Sequence, residues 1–290
     1  MSIRIIPRLD IKGPNLVKGI HLEGLRVLGK PEDFAKYYYE NGADELMYQD
    51  VVASLYNRNS LSDIISQTAK EVFIPITVGG GIRNIDDMRR VLRAGADKVS
   101  LNTAAIKNPE IIKDAAHYFG SSTIVVSIEA IKQSNNEYMA YTDNGREYTG
   151  IEVISWAKKV EQLGAGEIII TSVDKEGTGL GFDYDLTKTI SEIVSVPVVA
   201  HGGAGCVEDV LKVIQYSQAD AVAISSILHY GVKPKDIQQF TKMYEGNIEY
   251  LKKGEKFSII NSVHIAELKK YLRDNRIDCR FTDLKYSGSN

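Results

Sequence analysis

Only two cysteines, Cys206 and Cys279, occur among the 290 residues. They fit neither a disulfide framework nor a metal-ligand spacing, so a reducing cytoplasm is the expected compartment. No apolar run approaches the ~20 residues of a membrane span, and the first residues run into a strand-like segment with no signal-peptide pattern. Neither sign of charge is in excess: the formal net charge is −3. Without a basic footprint, nucleic acid is not an expected partner. No P-loop, HExxH or Cys/His pattern occurs, so neither a cofactor nor a metal is implied. Hydrophobic residues at 43% and charged residues at 25% suit a globular chain, whose length allows one large α/β domain or two small ones.

What is present is periodic. Short apolar runs at residues 3–9, 45–50, 73–78, 98–101, 124–129, 167–171, 196–200 and 221–224 alternate with helical patterns at 31–42, 61–70, 86–93, 108–119, 152–163, 185–194 and 207–216. Such runs predict parallel strands buried on both faces. Eight units predict an α/β fold of the (β/α)8 TIM-barrel type, with a doubly wound open sheet as the alternative. Internal echoes favour the barrel. Val78-Gly79-Gly80-Gly81-Ile82 is echoed by Ala200-His201-Gly202-Gly203-Ala204-Gly205, with Gly81 and Gly203 122 residues apart. Glu45 and Glu167 are also 122 apart, Asp97 and Asp220 are 123 apart, and Asp10 and Glu129 are 119 apart. The chain reads as one domain over residues 1–290, with fused half-repeats at about 1–120 and 121–230. An insertion at about 231–262, with Tyr244, Tyr250 and a charged patch at 252–256, is expected to cover the ligand face. A closing helix is expected at about 264–276, and a loop from Gly13 to about Gly29.

Barrel ligands bind at the C-terminal ends of the strands, so strand-end residues carry the chemistry. Asp10 and Glu129 end the first strand of each half, where an acid and a base suit a ring-forming or isomerising reaction. Asp50 and Asp174 either position substrate or cap loops. Glycines at strand ends leave N–H groups for an anion. Two cradles are expected: Gly81 with Asn102 and Thr103, and Gly203 with Ser225, Ser226, Gly177 and Thr178. Together they suit two phosphates at opposite edges of one substrate. His201, at a strand end, is a further candidate; His21, His117, His229 and His264 read as structural or exposed. At the opposite end, Arg4, Glu45, Lys98 and Glu167 start strands and should point inward. Charges there must pair, as a stabilising plug or as a constriction of the axis.

These motifs together (Arg-Leu-Asp-Ile-Lys, Val-Gly-Gly-Gly-Ile, Ala-Asp-Lys-Val-Ser-Leu-Asn-Thr-Ala-Ala, Ala-Gly-Glu-Ile and Gly-Gly-Ala-Gly) resemble the cyclase subunit of imidazole glycerol phosphate synthase, over residues 1–230 and the last helix. The resemblance implies a two-phosphate barrel paired with a glutaminase subunit, whose ammonia crosses the barrel axis. By that resemblance Asp10 is a catalytic carboxylate and Lys18 a mobile-loop lysine. Arg4, Glu45, Lys98 and Glu167 gate the ammonia path, and Asp97 lies at the glutaminase interface. Gly81, Asn102, Thr103, Gly177, Gly203 and Ser225 hold phosphates.

The departures are specific. Glu129 and Glu176 stand where the family has aspartate, Arg8 and Ile224 where it has small residues, and His201 where it has serine. One added methylene moves a carboxylate by over ~1 Å, a displacement worth on the order of 10²-fold in rate. A retained gate beside an altered acid/base pair is similar to paralogues encoded with surface-polysaccharide genes. The expectation that follows is ammonia delivery for amidination of an acetamido sugar, with a sugar amidotransferase as second partner. The alternatives are a genuine cyclase (a lyase) of histidine biosynthesis and a non-catalytic scaffold. The related single-chain isomerase carries a hydroxyl residue at the fifth strand end, so Glu129 argues against it.

Overall fold

Each apolar run sends alternate side chains to opposite faces, and both faces are buried, so the strands can only sit between a filled axis and a jacket of helices. The computed structural model describes residues 2–53, 61–232 and 260–280. In chain order the first half contains β1 (Arg4–Lys12), β2 (Asn15–Ile20), β3 (Glu23–Gly29), α1 (Pro31–Glu40), β4 (Leu46–Asp50), α2 (Leu61–Thr68), β5 (Ile76–Gly79), α3 (Ile85–Ala94), β6 (Lys98–Leu101), α4 (Thr103–Lys107) and α5 (Glu110–Phe119). The second half contains β7 (Ile124–Lys132), β8 (Tyr138–Thr142), β9 (Glu147–Glu152), α6 (Val153–Gln162), β10 (Glu167–Ser172), α7 (Tyr184–Ile193), β11 (Val198–His201), α8 (Val207–Ser217), β12 (Ala221–Ile224) and α9 (Ser226–His229); α10 (Ile265–Asp274) follows.

The ring β1-β4-β5-β6-β7-β10-β11-β12 is parallel throughout, and β12 returns to pair with β1, Arg4 opposite Ala221. Closure makes this a (β/α)8 barrel and rules out the open sheet. Among the described residues no helix is long and apolar enough to cross a membrane. The insertion expected over the ligand face, with Tyr244, Tyr250 and residues 252–256, lies almost wholly outside the described residues.

Two expectations about element ends are corrected. Residues 13–29 do not form a loop. β1 runs past Asp10 to Lys12 and pairs antiparallel with β2, Asp10 opposite Val17, and β2 pairs with β3. The glycines at 13, 19 and 24 read as loop punctuation, while Leu16 and Val17 pack into the core and make the segment a strand. Glu129 likewise lies within its strand and not at the end, opposite Tyr141 of β8. Each half therefore lifts a β-ribbon above its rim, carrying a carboxylate at the base.

The axis is layered. Ile6, Met47, Val125, Ile169, Val199, Ala221 and Ala223 form an apolar collar inside the ring, separate from the main core between strands and helices. At the N-terminal face, side-chain Oδ2 atoms of Asp44, Asp97 and Asp220 accept from the backbone N–H of Ile5, Ile76 and Val198 at 2.8, 2.8 and 2.9 Å. The Ala-Asp echo thus has a local cause: an aspartate accepts from an N–H at the start of a neighbouring strand, which would otherwise lack a partner. Closure by α10 is anchored by Lys269, whose buried Nζ reaches Asp44 Oδ1 at 2.7 Å and the carbonyl of Arg280 at 2.9 Å.

Candidate functional site

At the N-terminal end, the strand-starting charges form a ring. Arg4 donates to Glu45 at 2.9 Å and to Glu167, while Lys98 Nζ reaches Glu45 at 3.0 Å and Glu167 at 2.8 Å. Thr77 Oγ1 adds a hydrogen bond to the other oxygen of Glu45 at 2.5 Å. Alternating charge lets each carboxylate meet two cations, the condition for keeping charge inside a barrel. The carboxylates are buried, whereas the side chains of Arg4 and Lys98 are 28% and 19% exposed. Both cations therefore touch solvent below the barrel. Asp97, exposed beside them, belongs to the same face.

Above the collar the axis turns polar and opens into a cavity of about 570 Å³, walled by Arg8, Gln49, Ser100, Ser127 and Glu129 from the strands, by Gly81 at the first glycine turn, and by Asn102 and Thr103 just after β6. Gly81 has φ +70°, a conformation that favours glycine. The β8–β9 turn folds over this cavity: Asp143, Asn144 and Gly145 all have positive φ, and Asn144 Nδ2 donates to the carbonyl of Val51. Asp-Asn-Gly marks a turn in the sequence, but nothing in it says which rim the turn will cover. Gln49, Arg83, Lys107 and Asp143 also line the cavity and were not singled out from the sequence. Their residue types are ordinary for a surface, and only closure of the ring aims them inward.

Glu129 is buried in the cavity wall, and its carboxylate accepts from the N–H of Gly145 at 2.8 Å. Burial raises its pKa to about 7, against the opposing pull of that hydrogen bond, the Arg8 charge and Asn102. It can therefore hold or release a proton near neutrality. Asp10 is placed differently: its Oδ1 accepts from Arg8 Nε at 2.9 Å, both groups are buried, and Asp10 is not part of the cavity wall. Lys18, on β2, is buried in an ion pair with Glu176, whose other oxygen accepts from Leu22 N–H at 3.0 Å. The structure thus brings Arg8 and Glu129 to one cavity and sets Asp10 and Lys18 in separate buried pairs. Asp50 lines the cavity while its Oδ1 accepts from Val52 N–H at 3.0 Å; Asp174 accepts from Lys132 N–H at 2.8 Å.

The second glycine turn is tighter. Gly177, His201, Gly203, Ser225 and Ser226 enclose only about 20 Å³, with Glu176 at the edge. Gly203 has φ +110°, and an added Cβ would lie 2.1 Å from the carbonyl oxygen of Gly181; at Gly177, with φ +72°, it would lie 2.6 Å from that of Gly19. Ser225 Oγ donates to the carbonyl of Arg8 at 3.0 Å, so its hydroxyl proton is committed within the protein. Thr178 Oγ1 donates to the carbonyl of Lys175 at 2.7 Å, which closes a turn. His229 is structural: Tyr38 and the Arg8 carbonyl occupy its two ring nitrogens, and burial lowers its pKa to about 4. His21 and His264 hold the Val173 carbonyl and the Tyr37 hydroxyl. Among the described residues no three His, Cys, Asp or Glu side chains are grouped to hold a metal.

Comparison with known proteins agrees with this arrangement. Residues 4–234 match the family described as histidine biosynthesis protein. The chain is 59% identical over 208 residues to imidazole glycerol phosphate synthase subunit HisF of Legionella pneumophila, covering 72% of this chain and 98% of that protein. It is 49% identical over 249 residues to the subunit of the same name from Methanocaldococcus jannaschii, covering 79% and 92%. The subunit so named from Lactococcus lactis is 48% identical over 232 residues, covering 80% and 90%.

Proposed function

The chain belongs to the histidine biosynthesis protein family, and on that premise we propose that it is the ammonia-using cyclase (lyase) subunit of an imidazole glycerol phosphate synthase. A glutaminase subunit docks at the N-terminal face, with Asp97 in its footprint, and delivers ammonia to Arg4, Glu45, Lys98 and Glu167. The observation that carries this reading is the four-charge ring closing one end of an axis whose other end opens at Glu129. Between them lies the apolar collar, which admits neutral ammonia and disfavours ammonium, because an unpaired cation loses its hydration there. Opening the ring means displacing a cation. Lys98 meets both carboxylates through one amino group on a flexible stem, so it is the readier to swing aside than the fork of Arg4.

In the cavity, a phosphorylated substrate is anchored at Gly81, Asn102 and Thr103, with its far end toward Gly177, Gly203 and Ser225. Glu129 transfers protons as ammonia condenses with the substrate and water leaves, the ring closes, and C–N cleavage releases the remaining fragment of the substrate. Asp10 supports it from the buried pair with Arg8, and Lys18 holds the β2–β3 ribbon against the second cradle.

The amidination of an acetamido sugar, with its sugar amidotransferase partner, gives way to this reading. It rested on Arg8, Glu129, Glu176, His201 and Ile224, yet relatives of 48–59% identity carry the synthase name. Those five residues are then local departures within a cyclase. The test is direct: the purified chain with an ammonium salt and the precursor of imidazole glycerol phosphate should form that product, and a glutaminase subunit should let glutamine replace the salt. Absence of product from either nitrogen source would overturn the assignment.

A further inference from the structure

His201 carries a constraint that the proposed function does not use. Its side chain is buried at the end of β11, and Nδ1 lies 3.1 Å from Arg8 Nη1 and 3.1 Å from Thr171 Oγ1. A guanidinium can only donate. Nδ1 must therefore be the unprotonated, accepting nitrogen, which leaves the hydrogen on Nε2. Nε2 has no hydrogen-bond partner among the described residues, although the residue is 4% exposed and helps enclose the cradle of Gly177, Gly203 and Ser226. Arg8 is itself held on three sides: Asp10 accepts from its Nε, and Ser225 and His229 donate to its carbonyl. The ring is thus oriented by a chain of fixed groups, and its one open donor belongs to the cradle side.

We propose that His201 is an anion-binding residue of the second cradle, donating a neutral Nε2–H to a compact tetrahedral dianion such as a phosphate group, with Arg8 as the positioning residue that fixes the tautomer. The inference rests on the reading of that turn as a phosphate site and adds the group that recognises the anion. A space of about 20 Å³ is above the minimum for one water, which suits a compact group seated within the turn. The charged groups facing His201 are Arg8 and Lys18, with Glu176 at the cradle edge paired to Lys18. Burial first, then the Arg8 and Lys18 charges, holds its pKa well below the usual histidine value. The donor therefore stays in place, without gaining charge, through the range in which a free histidine titrates.

The test uses the full chain, labelled with 15N, and sulfate as a probe that remains dianionic throughout. Before addition, imidazole spectra should show His201 as the Nε2–H tautomer, and Arg8→Met should release that preference. Sulfate should then shift Nε2–H of His201 together with the amide of Gly203. Affinity read at Gly203 should be flat from about pH 5 to about 8. His201→Phe should weaken sulfate by ~10-fold or more, whereas His201→Gln, whose side-chain amide places a donor near the same point, should stay within ~3-fold. A Gly203 shift without one at His201 would overturn the role of His201 and leave the cradle standing. So would binding that tightens at low pH, as an imidazolium ligand requires. No shift at either residue under saturating sulfate would remove both the cradle and the proposal.

Discussion

Glu129 sits in the cavity wall with the N–H of Gly145 as a backbone donor, and burial outweighs that hydrogen bond to lift its pKa to about 7. The consequence for stability has a definite sign. The folded state keeps a proton that the unfolded chain gives up near the ordinary glutamate value of 4.5, so Glu129 lowers stability progressively as pH rises from about 4.5 to about 7. Urea unfolding should find Glu129→Gln more stable than the parent at about pH 8, by roughly 1–3 kcal/mol, with the difference vanishing near pH 4.5. The same variant should lose on the order of 10²-fold or more in ammonium-dependent turnover, the usual loss when a general acid/base is removed. A variant both less stable at high pH and fully active would show that Glu129 is merely structural.

At the element scale, the β2–β3 ribbon is tied down by Lys18–Glu176, by Leu22 N–H on the same carboxylate, and by the close approach of Gly19 to Gly177. Removing one partner of a buried ion pair leaves an uncompensated charge and costs about 3–5 kcal/mol. Glu176→Ala should therefore free the ribbon from the rim before it unfolds the barrel, and hydrogen exchange should accelerate at residues 15–29 while β4 and β5 stay protected. The charge ring gives a second prediction at this scale. Lys98→Glu sets three carboxylates around Arg4, so the ring must open or reorganise. Glutamine-dependent product formation in the complex with a glutaminase should change severalfold, while ammonium added at the open face still supports turnover. Unchanged glutamine dependence would reduce the ring to a stabilising plug.

For the molecule as a whole, the closing helix is tied to the first strand through Asp44, just before β4. Its carboxylate accepts from Ile5 N–H, Lys269 Nζ and Arg280 Nε, so one side chain joins the first strand to the closing helix and the segment after it. Lys269 is buried there. Asp44→Ala strands that ammonium, and calorimetry should show a stability loss of about 3–5 kcal/mol. Asp44→Asn keeps a side-chain oxygen for Ile5 N–H and should fall between the two. The second half carries Gly166 one residue before Glu167, where the first carries Asp44 before Glu45, because a Cβ there would lie 2.2 Å from the Ser121 carbonyl oxygen. The halves share a plan, and the chain crossing each seam decides the residue.

The sequence by itself determined the barrel. Eight apolar runs whose spacing pattern recurs after about 120 residues leave few other ways to bury both faces of each strand, and strand-starting charges in register must meet on the axis. It also marked both glycine turns, because only certain backbone conformations demand glycine. Tertiary structure alone decided which side chains share a cavity. The first ribbon looked like a loop because glycines interrupt its pattern, and only pairing against β1 reveals it as two strands. Asp10 and Glu129 read as equivalent partners, yet Arg8 is long enough to engage the first and to stand in the cavity wall with the second. The tautomer of His201 was legible nowhere in the chain order, since Arg8 and Thr171, which fix it, lie 193 and 30 residues away.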